Sequence, residues 1–179
     1  MIDKAVGLLG GEGNMDAGEM IRGKRILIVD DEQDVLDSLA GLLQMCKLDA
    51  ALSFEQGKKF LEENDYDVAI LDIMGVKGFE LLAIATKREI PALMLTAHGL
   101  SEENLRRSAA DGAAYYAPKE EMSKIATFVA DVLEAVNKKK SPWIKWFERL
   151  GSFYDKRFGG KQWREKEKEF WEKRIKAID

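Results

Sequence analysis

The sequence contains little cysteine and no long apolar run, and each shortage excludes a class of protein. The single cysteine, Cys46, excludes an internal disulfide. No stretch approaches the roughly 20 apolar residues that a membrane-spanning helix requires. The N-terminus lacks a basic start followed by a long apolar core, so we expect no secretory signal there. Together these absences make the cytoplasm the expected compartment.

An excess of positive charge is also absent. The net charge of −4 implies no general attraction of the whole molecule to nucleic acid or anionic lipid. A hydrophobic content of 46% and a charged content of 34% suit a soluble globular protein, and 179 residues suffice for one domain plus an appendage. We therefore expect a flexible, glycine-rich segment with room for one or two helical turns at 1–22, one domain at 23–138 and an aromatic-rich, amphipathic helical extension at 139–179.

Five apolar runs alternate with helical patterns between residues 24 and 137. The runs do not alternate in polarity, which is typical of strands buried on both faces of a parallel sheet. Right-handed crossovers then predict a doubly wound α/β fold. The predicted strands are residues 25–29, 50–54, 67–71, 91–95 and 113–117. Helices are predicted after each strand, near residues 35–46, 56–64, 78–88, 103–112 and 125–136.

Polar side chains stand where these apolar runs end. Asp30 and Asp31 follow the first run, Asp72 the third, Thr96 the fourth and Lys119 the fifth. Because ligands of such sheets bind beyond the carboxyl ends of the strands, these groups are expected to converge at one edge. Three carboxylates in one crevice raise each other's pKa or recruit a cation, and an all-oxygen donor set favours Mg²⁺. One carboxylate would remain free to react with a phosphoryl group, supported by the lysine charge and the threonine hydroxyl.

Four stretches together resemble the receiver domain of bacterial two-component response regulators, over about residues 24–137. They are "ILIVDDE", "VAILDIM", "IPALMLTAHG" and "GAAYYAPKE", in the order and near the spacing of that family. The resemblance implies a flavodoxin-like sheet of strand order 2-1-3-4-5. It also implies a phosphorelay switch rather than an enzyme. Asp72 would accept a phosphoryl group from a sensor histidine kinase or phosphotransfer protein, and output would be a protein–protein contact.

The same resemblance assigns the metal ligands. Mg²⁺ would be bound by the acidic pair Asp30 and Asp31, with Asp31 the more direct ligand. The phosphoacceptor Asp72 and the backbone carbonyl of Met74 would complete the protein's share of the coordination sphere.

The resemblance also assigns the parts that respond to phosphorylation. Thr96 and Lys119 would contact the phosphoryl group, and Tyr116 would be the aromatic that swings inward as the threonine shifts. Met74 and His98 occupy positions that tune phosphoryl lifetime in relatives, although a solvated loop histidine is the simpler interpretation of His98. The surface expected to change is the fourth helix, fifth strand and fifth helix, residues 101–137, where a partner or a second receiver would dock.

Two departures from the family pattern leave an alternative open. The loop "DIMGVKG" after Asp72 is shorter than usual and lacks the family's proline and Asp-Gly pair, and Glu120 stands where a proline frequently follows the lysine. A degenerate receiver that acts as a constitutive scaffold is therefore the first alternative. A haloacid-dehalogenase-like phosphatase is disfavoured, because "DDEQDVL" does not supply the Asp-x-Asp-x-Thr/Val motif that such enzymes need.

The extension contains all four tryptophans of the chain. Two amphipathic helical stripes are interrupted by the glycine pair at 159–160. Three interpretations are open: a hairpin folded back on the receiver or forming a homodimer, a docking helix for a protein partner, and an interfacial membrane helix. The many glutamates disfavour the membrane. A DNA-reading output is disfavoured because no helix-turn-helix with its own core is recognisable.

Overall fold

A five-stranded parallel sheet forms the centre of the protein. The computed structural model describes residues 16–97 and 101–176. All four neighbouring pairs of strands are parallel, and the strand order is β2-β1-β3-β4-β5. The predicted flavodoxin-like fold is therefore confirmed. The strands are β1 Arg25–Val29, β2 Lys47–Ala51, β3 Val68–Asp72, β4 Ala92–Thr96 and β5 Tyr115–Pro118.

Helices cover both faces of the sheet and continue into the C-terminal extension. Three of them begin at a serine whose hydroxyl accepts a backbone N–H, at Ser53, Ser101 and Ser141. In the described part of the chain, every helix is too short or too polar to cross a bilayer. The helices are α1 Ala17–Ile21, α2 Gln33–Leu42, α3 Phe54–Glu63, α4 Gly78–Lys87, α5 Glu102–Ala110, α6 Ile125–Lys138, α7 Pro142–Arg157, α8 Gln162–Glu165 and α9 Lys168–Lys176, with a 3-10 helix at Lys119–Lys124.

The burial of the strands explains their sequence pattern. Every residue of β3 and β4 is buried, because each strand has a neighbour on both sides and helices on both faces. Strand β2 lies at the edge of the sheet and is only partly covered, so its sequence is more polar. The central runs were therefore the easiest strands to recognise.

Strand β2 lies three residues earlier than predicted. The prediction placed it at 50–54, but Ser53 caps α3 by accepting a hydrogen bond of 3.2 Å from the Gln56 N–H. The chain therefore leaves the strand before Ser53, and β2 pairs with β1 over Lys47–Ala51. The polar stretch "KLD" hid the start of this strand because an edge strand does not need a continuous apolar run.

The N-terminal segment that was predicted to be flexible contains a helix where the structure describes it. Helix α1 packs against α6, and Ile21 is completely buried. This short helix agrees with the one or two helical turns expected there, and the 1–22 boundary of the segment stays a prediction. The rest of the predicted segment, 1–15, lies outside the described residues.

The extension folds back on the receiver, which is the first of its three interpretations. Helix α7 packs against α6 and β5, and α9 packs against α7. Two indole groups bond to the receiver backbone: Nε1 of Trp143 donates to the Ala113 carbonyl at 3.2 Å, and Nε1 of Trp146 to the Tyr116 carbonyl at 2.7 Å. The aromatic stripe of the extension is therefore core packing in this structure.

Candidate functional site

Three aspartates meet at the carboxyl edge of the sheet. Strands β1 and β3 are neighbours with Val29 opposite Leu71, so the residues that follow, Asp30 and Asp72, emerge side by side. Carboxylate oxygens of Asp30, Asp31 and Asp72 lie within 4.8 Å of one another. Asp30 is 0% exposed and Asp72 5% exposed, whereas Asp31 is exposed to solvent. This all-oxygen, partly solvent-exposed donor set fits Mg²⁺.

Lys119 lies among these carboxylates. Its Nζ is 2.8 Å from Asp30 Oδ2 and 3.2 Å from Asp72 Oδ1, and the side chain is mostly buried. The same Nζ is 3.3 Å from Glu32 Oε1, and the Glu32 N–H donates to Asp30 Oδ1 at 2.9 Å. From the sequence, Glu32 was assigned no role in the site. Glu32 directly follows the acidic pair Asp30 and Asp31 in the sequence, and this position could have indicated that it belongs to the site.

The carboxylates and the lysine of the site shift each other's pKa. Burial and the Asp30 charge raise the pKa of Asp72 to about 7, although Lys119 pulls it down. Burial opposes the charge of Lys119, but the hydrogen bond from Lys119 to Asp30 and the charge of Asp72 outweigh it and raise the lysine pKa. A divalent cation at this edge would favour the ionised form of Asp72, which is the form that can act as a nucleophile.

Two glycines allow the short loop after Asp72 to close against the site. Gly75 has φ +85°, and a side chain there would overlap the Asp31 carboxylate. A side chain at Gly78 would overlap the backbone carbonyl of Asp72, and the Gly78 N–H donates to the Ile73 carbonyl at 3.1 Å. Sequence reasoning missed Gly75. The two glycines explain how the short loop after Asp72, which has no proline, packs against the acidic cluster.

The remaining predicted site residues differ in where they lie. Thr96 is buried at the end of β4 opposite Pro118, which places it beside the segment carrying Lys119. Tyr116 is fully buried, and its ring centroid lies 5.7 Å from that of Tyr154 in the extension.

The structure shows where the predicted residues lie, and the roles assigned to all of them stay predictions. Met74 sits in the loop after Asp72 with 53% of its side chain exposed, and the role of its carbonyl stays a prediction. His98 lies outside the described residues.

The comparison with protein families shows which family this chain belongs to. A model of the response regulator receiver domain matches residues 26–130. The chain belongs to the response regulator receiver domain family. The two-component response regulators ARR18 and ARR12 of Arabidopsis thaliana are 37% and 34% identical over 82 and 84 residues, 42% of this chain in each case. These stretches cover only 13% and 14% of the two plant proteins.

Solved receiver structures share the fold. A CheY-like receiver domain protein from Methanospirillum hungatei is 28% identical, with a TM-score of 0.54, and the match covers 63% of this chain and 98% of that one. The receiver domain of the Francisella response regulator 1452 has a TM-score of 0.57 at 19% identity, over 64% and 99% of the two chains. The extension at 139–179 lies beyond the residues that the family model matches.

Proposed function

We propose that this receiver domain is a Mg²⁺-dependent phosphorylation switch that accepts a phosphoryl group on Asp72. The donor would be a sensor histidine kinase or a phosphotransfer protein, and the output a protein–protein contact rather than catalytic turnover. The observation that supports this proposal is the position of Asp72, 3.2 Å from the Lys119 ammonium and within 4.8 Å of the Asp30 and Asp31 oxygens.

The chemistry is transfer to an ionised carboxylate. An Asp72 oxygen attacks the phosphorus, the bond from phosphorus to the donor's imidazole nitrogen breaks, and its electron pair stays on the imidazole. Lys119 balances charge on the phosphoryl oxygens, and the Thr96 hydroxyl donates a hydrogen bond to one of them. Mg²⁺ bound by Asp30, Asp31, Asp72 and the Met74 carbonyl would supply charge neutralisation at the same edge.

A small phosphodonor tests the proposal directly. Purified protein is incubated with acetyl phosphate, with Mg²⁺ or with EDTA, and analysed by intact-mass spectrometry before and after hydroxylamine, which cleaves acyl phosphates. We expect one hydroxylamine-sensitive phosphoryl group on the wild type with Mg²⁺ and none on Asp72→Asn. The exposed Asp34, in the first turn of α2, provides a matched control, and Asp34→Asn should be labelled like the wild type.

A constitutive scaffold is the second candidate. One observation favours it: the extension already covers part of the surface at 101–137, where a partner of the switch would dock. A scaffold would show no Mg²⁺-dependent adduct in the same experiment. The absence of label on folded wild-type protein would therefore replace the switch with the scaffold.

A further inference from the structure

The extension holds the segment that carries Lys119 from both sides. Before the lysine, Trp146 Nε1 donates to the Tyr116 carbonyl at 2.7 Å. After it, Arg157 Nη2 donates to both carboxylate oxygens of Glu120, at 3.0 and 2.9 Å. We propose that these two contacts, here called the bracket, make Trp146 and Arg157 positioning residues for Lys119. This inference rests on the proposed phosphorylation of Asp72.

The Trp146 side of the bracket is held firmly. Trp146 is completely buried, stacks on Tyr154 with ring centroids 5.4 Å apart, and meets Trp143 edge-on at 5.0 Å. The Tyr154 ring also packs against Tyr116. The extension therefore contacts both the backbone and the side chain of Tyr116. It cannot shift at this point without disturbing its own aromatic core.

A separate anchor fixes α7 to the receiver away from the site. The buried carboxylate of Asp131 in α6 accepts from Arg149 Nε at 2.6 Å and Nη2 at 3.0 Å, and from the Tyr115 hydroxyl at 2.8 Å. This anchor ties α7 to α6 and β5 independently of Lys119. Helix α7 is therefore fixed to the receiver, and its contacts can oppose movement of the segment that carries Lys119.

We infer that Lys119 moves when Asp72 is phosphorylated. In the structure, its Nζ contacts Asp30 Oδ2 at 2.8 Å and Asp72 Oδ1 at 3.2 Å. A phosphoryl group on Asp72 would add oxygens that compete with Asp30 for the Lys119 ammonium, and we infer that Nζ shifts from Asp30 towards them. The bracket opposes that movement because it holds Tyr116 and Glu120, which lie on either side of Lys119, in the phosphoryl-free arrangement. The two effects are linked. If binding of a phosphoryl mimic weakens the bracket contacts by some factor, removing those contacts should raise the affinity for the mimic by the same factor.

The test measures the affinity of the full chain for beryllofluoride in Mg²⁺ by titration calorimetry. Arg157→Gln removes the outer contact of the bracket at an exposed site, and we expect about two- to fivefold tighter binding. The matched control is Arg106→Gln. Arg106 also joins the receiver to the extension, through a 3.0 Å exposed ion pair with Glu167, but does not flank Lys119. This control should bind like the wild type.

Charge reversal separates positioning from a general structural effect. The double variant Glu120→Arg with Arg157→Glu re-forms the ion pair in the opposite sense and should return the affinity to the wild-type value. If Arg157→Gln and Arg106→Gln both bind like the wild type, or both bind more tightly, the bracket is wrong while the phosphorylation of Asp72 stands. If folded wild type binds no beryllofluoride, the proposed function fails and the bracket fails with it.

Discussion

Replacing Asp72 with asparagine should stabilise the cation-free protein at neutral and alkaline pH. Burial and the charge of Asp30 raise the pKa of Asp72 from 3.8 to about 7 in the folded chain. Between these two values the folded chain holds a proton that the unfolded chain has released. The stability contributed by this group is therefore present at low pH and is lost as the pH rises towards about 7. Asparagine keeps the shape of the side chain without the charge.

The magnitude follows from the size of the shift. A shift of about three pKa units corresponds to a ceiling of about 4 kcal/mol between the charged and neutral forms. Water and side-chain relaxation at the edge of the sheet reduce this ceiling, so we expect about 1–3 kcal/mol. For a chain of this size that is a rise in Tm of roughly 3–9 °C at pH 8.

The assay is thermal unfolding in EDTA at pH 6, 7 and 8, followed by circular dichroism. The difference in Tm between Asp72→Asn and wild type should widen from pH 6 to pH 8. Adding Mg²⁺ should narrow it, because the cation binds and stabilises the wild type more. Asp65, whose carboxylate is 95% exposed beside Arg88, is the control, and Asp65→Asn should show no such pH dependence. A variant that is less stable than wild type at pH 8, or a difference that is constant with pH, would refute the reasoning.

Two further substitutions probe the loop after Asp72 and the anchor of the extension. Gly75→Ala should weaken Mg²⁺ binding by about tenfold or more, measured as the Mg²⁺-dependent rise in Tm, because φ +85° is strained for alanine and its Cβ would displace the Asp31 carboxylate. Arg149→Gln should lower the free energy of unfolding in urea by about 1–3 kcal/mol, because it leaves the buried Asp131 carboxylate with the Tyr115 hydroxyl as its remaining partner in the triad.

Each of these substitutions has a matched control. Gly41 lies in α2, and a methyl group added there would project into open space, so Gly41→Ala should leave Mg²⁺ binding unchanged. Lys145 lies on the same helix as Arg149 and forms an exposed ion pair of 3.9 Å with Glu148, so Lys145→Gln should change stability by less than about 0.5 kcal/mol. If Gly75→Ala changed Mg²⁺ binding no more than Gly41→Ala, the explanation from the Gly75 contact would be wrong. If Arg149→Gln changed stability no more than Lys145→Gln, the explanation from the Asp131 contact would be wrong.

The fold class and the convergence of the site's side chains could be predicted from the sequence. Continuous apolar runs such as "VAILD" specify strands buried on both faces, and their alternation with helices leaves few topologies. In a parallel sheet, residues that end neighbouring strands must emerge at one edge. The convergence of Asp30, Asp72 and Lys119 therefore followed from position in the pattern alone.

Contacts between distant segments were decided by the tertiary structure. An amphipathic pattern shows that the extension has an apolar face, but it does not show which surface covers that face. The bonds from Trp146 to the Tyr116 carbonyl and from Arg157 to Glu120 join residues 30 or more positions apart. Their formation depends on the angle at which α7 meets the sheet, which is set by packing rather than by local propensity. The fit of Gly75 beneath Asp31 was hidden for the same reason.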